Sequence, residues 1–256
     1  MKIFRWMAIL LCAVAATACE KNGVQDITGS LPGARIKFYN FGVNAPPVNF
    51  YANDAKLTAI TSTSGTESTL GVAYGAVGSN GFYSAITPGA YTFAAKIAAA
   101  TDKDLTISRA SATLVDGKSY SFYTSGFYDA VAKTVEGFLV EDPYIQTIDF
   151  TTAYVRFVNA ISNSSPMTLH ARNTTTQAEI PVGALVAYKS AGAFTAVPGG
   201  VYDLSTRVAG STANAITRTA VSFLPGKVYT ISARGDMTVT STTAVTRPIL
   251  DNTANR

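Results

Sequence analysis

The sequence predicts an all-β protein built as two tandem antiparallel β-sandwich domains behind a short N-terminal export segment. Three observations carry this. Tyr, Phe, Thr, Val, Ile and Gly are abundant while Leu, Glu and Lys are scarce, a usage that favours pleated, half-buried surfaces over helices. Short runs of alternating apolar residues recur every ten or so positions, punctuated by Gly, Pro, Asn and Asp, which is the rhythm of a sandwich. The whole series then occurs a second time, about 119 residues later. With 256 residues and 47% apolar side chains, the chain can bury a substantial core.

The chain opens Met1-Lys2-Ile3-Phe4-Arg5, a basic start, followed by an unbroken apolar run from Trp6 to Ala16. Eleven residues fall short of the roughly 18 to 20 needed to cross a bilayer as a helix, so residues 1–18 read as a secretory signal peptide. Its end, Ala15-Ala16-Thr17-Ala18-Cys19, resembles the lipobox of bacterial lipoproteins, with Ala16 where that motif most often has Leu. The resemblance implies that Cys19 is acylated and becomes the new N-terminus. Cys12 leaves with the signal peptide, so Cys19 has no disulfide partner. Residues 19–33 then form the lipidated Cys and a polar, turn-rich tether. The remaining chain carries 18 basic and 16 acidic residues, a balance too even to imply nucleic acid.

The repeat can be followed element by element. Ala34-Arg35-Ile36-Lys37-Phe38-Tyr39-Asn40 is echoed by Ala153-Tyr154-Val155-Arg156-Phe157-Val158-Asn159. Pro47-Val48-Asn49-Phe50-Tyr51-Ala52 aligns with Pro166-Met167-Thr168-Leu169-His170-Ala171, and alternation puts Val48, Phe50 and Ala52 on one face, as it does Met167, Leu169 and Ala171. Pro88-Gly89-Ala90-Tyr91 matches Pro198-Gly199-Gly200-Val201-Tyr202, with one extra Gly, and Tyr83 and Phe194 stand equivalently upstream. Asp116-Gly117-Lys118-Ser119-Tyr120 matches Pro225-Gly226-Lys227-Val228-Tyr229, each a tight turn between apolar runs that end near Gly126 and Gly235. Closing strands are expected at residues 137–142 and 247–252. The first repeat therefore spans 34–142, a linker 143–152, and the second repeat 153–252, each an immunoglobulin-like sandwich. The one Ala-rich stretch, Ala94 to Ala100, is short and uncapped, a poor helix.

Taken together, the anchors Ala-x-Ile/Val-Lys/Arg-Phe-x-Asn, Pro-Val-x-Phe-Tyr-Ala, Pro-Gly-x-Tyr and Gly-Lys-x-Tyr-Ser/Thr resemble the domain of unknown function numbered 4397. The resemblance covers nearly the whole mature chain, twice. It implies a secreted or envelope protein, of the kind carrying tandem copies behind a lipoprotein signal in Bacteroidetes-type bacteria, and brings no catalytic residues. Where that family usually opens Val-Arg-Phe-Val-His-Ala-Ser, this chain has Asn40 and Asn159 in place of the His.

Catalytic chemistry finds little footing. A Ser-His-Asp arrangement needs an imidazole, and the single one is His170, on the strand face opposite Met167, Leu169 and Ala171, where it reads as solvent-facing. One His and one Cys cannot furnish a zinc site. Asp102-Lys103-Asp104 and Glu141-Asp142 lack the spacing of a calcium loop and read as solvated hairpin tips. No acidic pair stands out for glycoside hydrolysis. Gly71 to Gly81 lack the Lys-Ser/Thr ending of a phosphate loop. In the stretch Tyr120, Phe122, Tyr123, Phe127, Tyr128, alternation turns Tyr120 and Phe122 inward and Tyr123 across the sheet. Trp6 leaves with the signal peptide, so a sugar-binding face would rest on other aromatics. Residues 34–150 carry 8 basic and 10 acidic side chains, residues 151–256 carry 9 and 4, an imbalance that reads first as Arg and Lys scattered over strand surfaces for solubility and second as a face for an anionic partner such as lipopolysaccharide or an acidic glycan.

The expectation is a non-catalytic, lipid-anchored cell-envelope protein at the outer membrane, on its periplasmic face or the cell surface, serving as a binding or structural module. No cofactor, metal or nucleic acid is expected; the partners are the membrane, through the lipid on Cys19, and an envelope glycan or protein. Two alternatives are a glycan-binding surface lipoprotein and a fimbrial or adhesin-type subunit that assembles by strand exchange. For the latter the segment Ala244-Val245-Thr246-Arg247-Pro248-Ile249-Leu250 is the candidate strand, with Pro248 suited to an edge or strand entry.

Overall fold

A computed structural model describes residues 33–58, 70–143, 145 and 147–255. The signal peptide, Cys19 and the tether up to residue 32 lie outside the described residues.

The first repeat supplies β1 (Ala34–Asn40), β2 (Val48–Ala52), β3 (Ala55–Lys56), β4 (Ser84–Ile86), β5 (Gly89–Ile97), β6 (Thr106–Leu114), β7 (Ser119–Asp129) and β8 (Thr134–Asp142). They make two four-stranded sheets, ordered β4-β1-β7-β8 and β3-β2-β5-β6. The second repeat supplies β9 (Thr152–Asn159), β10 (Met167–Asn173), β11 (Glu179–Val186), β12 (Ser190–Ala191), β13 (Thr195–Pro198), β14 (Gly200–Val208), β15 (Ile216–Phe223), β16 (Val228–Arg234) and β17 (Ile249–Ala254). These form β12-β9-β16-β17, with β13 also on β9, and β11-β10-β14-β15. Pairing is antiparallel except once in each half, where β1 lies parallel to β7 and β9 parallel to β16. The exception follows from connectivity: the chain leaves the first strand for the opposite sheet, comes back to pair antiparallel on that strand's outer edge, crosses again, and re-enters through one tight turn in the first strand's direction.

Each sandwich closes over its own core. In the first, Phe38, Phe50, Phe93 and Phe122 interlock, with Phe38 stacked on Phe50 at 4.9 Å between ring centroids and Phe50 edge-on to Phe122 at 5.8 Å. In the second, smaller aliphatic side chains do the same work around Phe157, Leu169, Leu204 and Ile231. The repeated tyrosines now have a physical reason. The Tyr120 hydroxyl accepts the Val115 N–H at 3.1 Å, and the Tyr229 hydroxyl accepts that of Leu224 at the same distance. Tyr91 donates to the Thr87 carbonyl at 2.9 Å and Tyr202 to that of Pro198 at 2.8 Å. Each phenol buries its ring in the sandwich and uses its polar tip to satisfy a turn backbone that the sheet leaves open. The turns themselves need left-handed backbone at Gly117 (φ 72°) and Gly226 (φ 74°), where a side chain would be strained.

One boundary moves. The second closing strand lies at Ile249–Ala254 rather than at residues 247–252. Pro248 has no N–H to offer a ladder and stands just before the strand. Register makes Ala254 the partner of Tyr229, as Glu141 is the partner of Tyr120, so Ala254 and Glu141 are equivalent positions.

Candidate functional site

The outer face of β1 is buried, which a solvated sandwich does not require. Lys37 and Tyr39 point away from the phenylalanine core, yet are 1% and 0% exposed, and the same holds for Arg156 and Val158 on β9. The described residues form one compact unit, because sheet β4-β1-β7-β8 of the first half packs on sheet β12-β9-β16-β17 of the second. A third apolar cluster lies between them, made of Tyr39, Phe41, Tyr123, Phe138, Val158 and Ala160. Tyr123 is stacked between Tyr39 at 4.3 Å and Phe138 at 5.0 Å. Tyr120 and Phe122 face the core and Tyr123 faces across the sheet, into this seam rather than into solvent. Phe127 remains exposed.

The seam has approximate two-fold symmetry, visible in who touches whom. Tyr123 meets Ser232, its own counterpart in the repeat, with oxygens 3.4 Å apart. Lys37 Nζ donates to the Ala254 carbonyl at 3.0 Å, and its counterpart Arg156 donates through Nη1 to the Glu141 carbonyl at 2.9 Å. The Lys37 ammonium lies 4.2 Å from the Tyr83 ring centroid, and the Arg156 guanidinium 5.0 Å from that of Phe194. Ser121 donates to Asp142 at 2.7 Å, while at the matching corner Asn255 donates to Thr230 at 2.8 Å. Tyr188 holds Ser125 at 2.9 Å, and its counterpart Tyr74 lies 4.9 Å from the Arg234 guanidinium, where Ser125 and Arg234 are equivalent.

Asn40 and Asn159 hold the loops that reach across. Asn40 Nδ2 donates to the Val72 carbonyl at 2.9 Å, and the Asn40 carbonyl accepts the Gly75 N–H. Asn159 Nδ2 donates to the Val186 carbonyl at 3.4 Å, and its carbonyl accepts the Lys189 N–H. Two Val-Ala-Tyr loops, Val72-Ala73-Tyr74 and Val186-Ala187-Tyr188, are thereby fixed to present a tyrosine to the opposite half. This pair of tripeptides was visible in the sequence, but in the first copy it sits in a Gly-rich stretch that reads only as loop.

At two corners the symmetry is chemically broken. Asp142 accepts hydrogen bonds from Tyr83 at 2.7 Å and from Ser121, and forms an ion pair with Arg156; Asp142 and Arg156 are both almost fully buried. The reading of Glu141-Asp142 as a solvated tip is therefore corrected. Glu141 is exposed and paired with Lys118 at 2.9 Å, but Asp142 turns inward because the second half covers its sheet. Burial opposes the Arg156 charge, and Asp142, with Tyr123 and Tyr83, more than restores it, so its pKa is raised. Burial, then Asp142, raises that of Tyr83, which stays a neutral phenol.

The matching corner has Lys37 where the first has Arg156 and Asn255 where the first has Asp142. Among the described residues no carboxylate lies within ion-pairing distance of Lys37, and Asp142 acts on it only from farther off. Burial above all, with the Arg156 charge adding to it and Asp142 opposing, lowers its pKa to about 8. Lys37 lines a cleft of about 640 Å³ walled by Phe82, Tyr83 and Asn80 on one side and Asn252 to Asn255 on the other. The Oδ1 atoms of Asn252 and Asn255 are buried without a hydrogen-bond partner, a state that costs free energy until a donor arrives.

The remaining sequence candidates are dispersed. His170 is half-buried on the outer face of β10, with Nδ1 3.5 Å from Glu179. Burial, then Arg207, lowers its pKa against the pull of Glu179, whose carboxylate accepts two 2.7 Å bonds from Arg207. Asp102 and Asp104 lie in an exposed turn, Asp102 paired with Lys133 at 2.8 Å. Among the described residues no group of three or more His, Cys, Asp or Glu is placed to hold a metal ion. Lys37, Tyr83, Asp142 and Arg156 were missed because strand alternation assigns every outward residue of a two-sheet sandwich to water. Their signal was a basic side chain at one outward position in both copies.

Comparison with protein families finds residues 34–170 matching a domain of unknown function, DUF4397. The match runs over the first sandwich and into β10. No curated protein matches the chain.

Proposed function

The chain belongs to the DUF4397 family, and from that premise we propose that it is a non-catalytic envelope lipoprotein of the Bacteroidetes type, its two sandwiches fused into one binding module. The address rests on the N-terminal sequence: a basic start, a short apolar run, and Ala15-Ala16-Thr17-Ala18-Cys19. Several acyl chains on Cys19, at about 0.8 kcal/mol per buried methylene, hold such a protein at the outer membrane far more firmly than one. The observation that carries the binding reading is the cleft beside Lys37, where a buried cation and two unsatisfied amide oxygens meet. The non-catalytic reading is supported by His170, half-buried beside a carboxylate already held by Arg207, and by the commitment of Asp142 to Arg156, Tyr83 and Ser121.

Labelling with radioactive palmitate in a native host, wild type against Cys19→Ala, tests the address. Label on the wild type and none on the variant is the expected result. Protease treatment of intact cells then separates cell surface from periplasm, and an unlabelled wild type would overturn the anchor.

Assembly by strand exchange is the second reading, favoured by β17: it is an edge strand that buries Leu250 completely. Sedimentation of the mature protein over a hundredfold concentration range distinguishes the two. A constant monomer ends the strand-exchange reading.

A further inference from the structure

The two-fold seam makes a specific demand that one corner meets and the other does not. At the first, the buried cation of Arg156 faces the carboxylate of Asp142. At the second, Lys37 lines the same cleft as Asn255, the position equivalent to Asp142, and among the described residues the protein oxygen accepting from its Nζ is the Ala254 carbonyl. An ammonium has three donors and a full charge, so the second corner lacks an anion that the first has built in. Lys37 is 1% exposed, and the side of it not covered by protein is the cleft that it lines. Two further features restrict what fits. Asn255 spends its amide N–H on Thr230, which leaves Oδ1 as an acceptor, and Asn252 Oδ1 is an unpartnered acceptor as well; both call for hydroxyl or amine donors. Phe82, 74% exposed, stands at the cleft wall as a flat apolar plane, a surface suited to the C–H face of a ring. The cleft volume lies within the roughly 300–1,000 Å³ of small-ligand sites.

We propose that this cleft binds an acidic saccharide, its carboxylate taking the place opposite Lys37 that Asp142 holds opposite Arg156, its hydroxyls donating to Asn252 and Asn255, and its ring against Phe82. The proposal deepens the binding-module reading and rests on it. Phosphate is the weaker candidate: no Arg lines the cleft beside Lys37, and the Arg fork is the side chain that grips phosphate oxygens in pairs.

Calorimetric titration of the full chain in detergent at pH 7 with D-glucuronate and D-galacturonate, against D-glucose, D-galactose and inorganic phosphate, is the test. Saturable uronate binding is expected, at least tenfold tighter than that of the neutral hexoses, and weakened at least tenfold by Lys37→Met. Asn255→Asp supplies the missing carboxylate from within. It is expected to raise the melting temperature and abolish uronate binding together, a pairing that mere misfolding does not produce. Equal binding of uronates and neutral hexoses, or uronate binding unchanged in Lys37→Met and Asn255→Asp, would overturn the proposal. Binding of phosphate alone overturns the saccharide while leaving a binding module; binding of no probe overturns the saccharide too, and palmitate labelling of Cys19 reports on the anchor independently of either.

Discussion

Asp142→Ala is expected to destabilise the protein by about 3–5 kcal/mol, the cost of leaving a buried charge without its partner. The carboxylate is 4% exposed and neutralises Arg156, which is 1% exposed and also serves Thr230 and the Glu141 carbonyl. With the carboxylate gone, the guanidinium keeps its burial and loses the charge that offset it. For a chain of this size each kcal/mol moves the melting temperature by about 2–4 °C, so a fall on the order of 10 °C should appear in differential scanning calorimetry. Removing the guanidinium as well, in Asp142→Ala with Arg156→Met, should recover most of the loss, because a buried pair exchanged for apolar groups is often close to neutral. A double variant as unstable as the sum of the two singles would show that the two residues act separately.

Tyr123→Ala should cost a similar amount, about 3–5 kcal/mol for deleting a fully packed aromatic side chain, and should also change the form of unfolding. Tyr123 is buried between Tyr39 and Phe138 and touches Ser232 of the other half, while making no part of either sandwich core. The loss falls on the seam alone. Wild-type protein is expected to unfold in one cooperative transition, and the variant in two, with each core retaining its own stability. Phe127→Ala, at a side chain 47% exposed, is the control and should stay within about 0.5 kcal/mol of wild type. A single transition in Tyr123→Ala, shifted no more than in that control, would remove the seam as the coupling element.

The strands were legible because their signals are local. Val48, Phe50 and Ala52 alternate with Asn49 and Tyr51, the Asp-Gly and Pro-Gly turns punctuate on schedule, and both copies repeat the pattern. The parallel pairings of β1 and β9 were not legible, since alternation says which face a residue takes and nothing of the neighbouring strand's direction. The seam was hidden for a related reason. Lys37, Arg156 and Asp142 have the sequence character of solvent-facing residues, and only the docking of one sheet on another turns them into buried ones. Burial pattern follows pleat within a sheet, but it takes tertiary structure to say what lies beyond the outer face. Even the outward aromatics Tyr39 and Tyr123 mark a covered face only once the pairing of β1 with β7 sets them side by side.

An interface in which each residue meets the counterpart of its partner is isologous, the kind a pair of identical subunits makes about a two-fold axis. In such a pair the two corners are obliged to be the same: two first copies would set Lys37 against Asp142 at both, and two second copies Arg156 against Asn255 at both. Covalent tandem duplication lifts that obligation. Once both copies are encoded in one chain, Arg156 with Asp142 can serve cohesion at one corner while Lys37 with Asn255 is left open at the other, a division of labour that no symmetric dimer can encode.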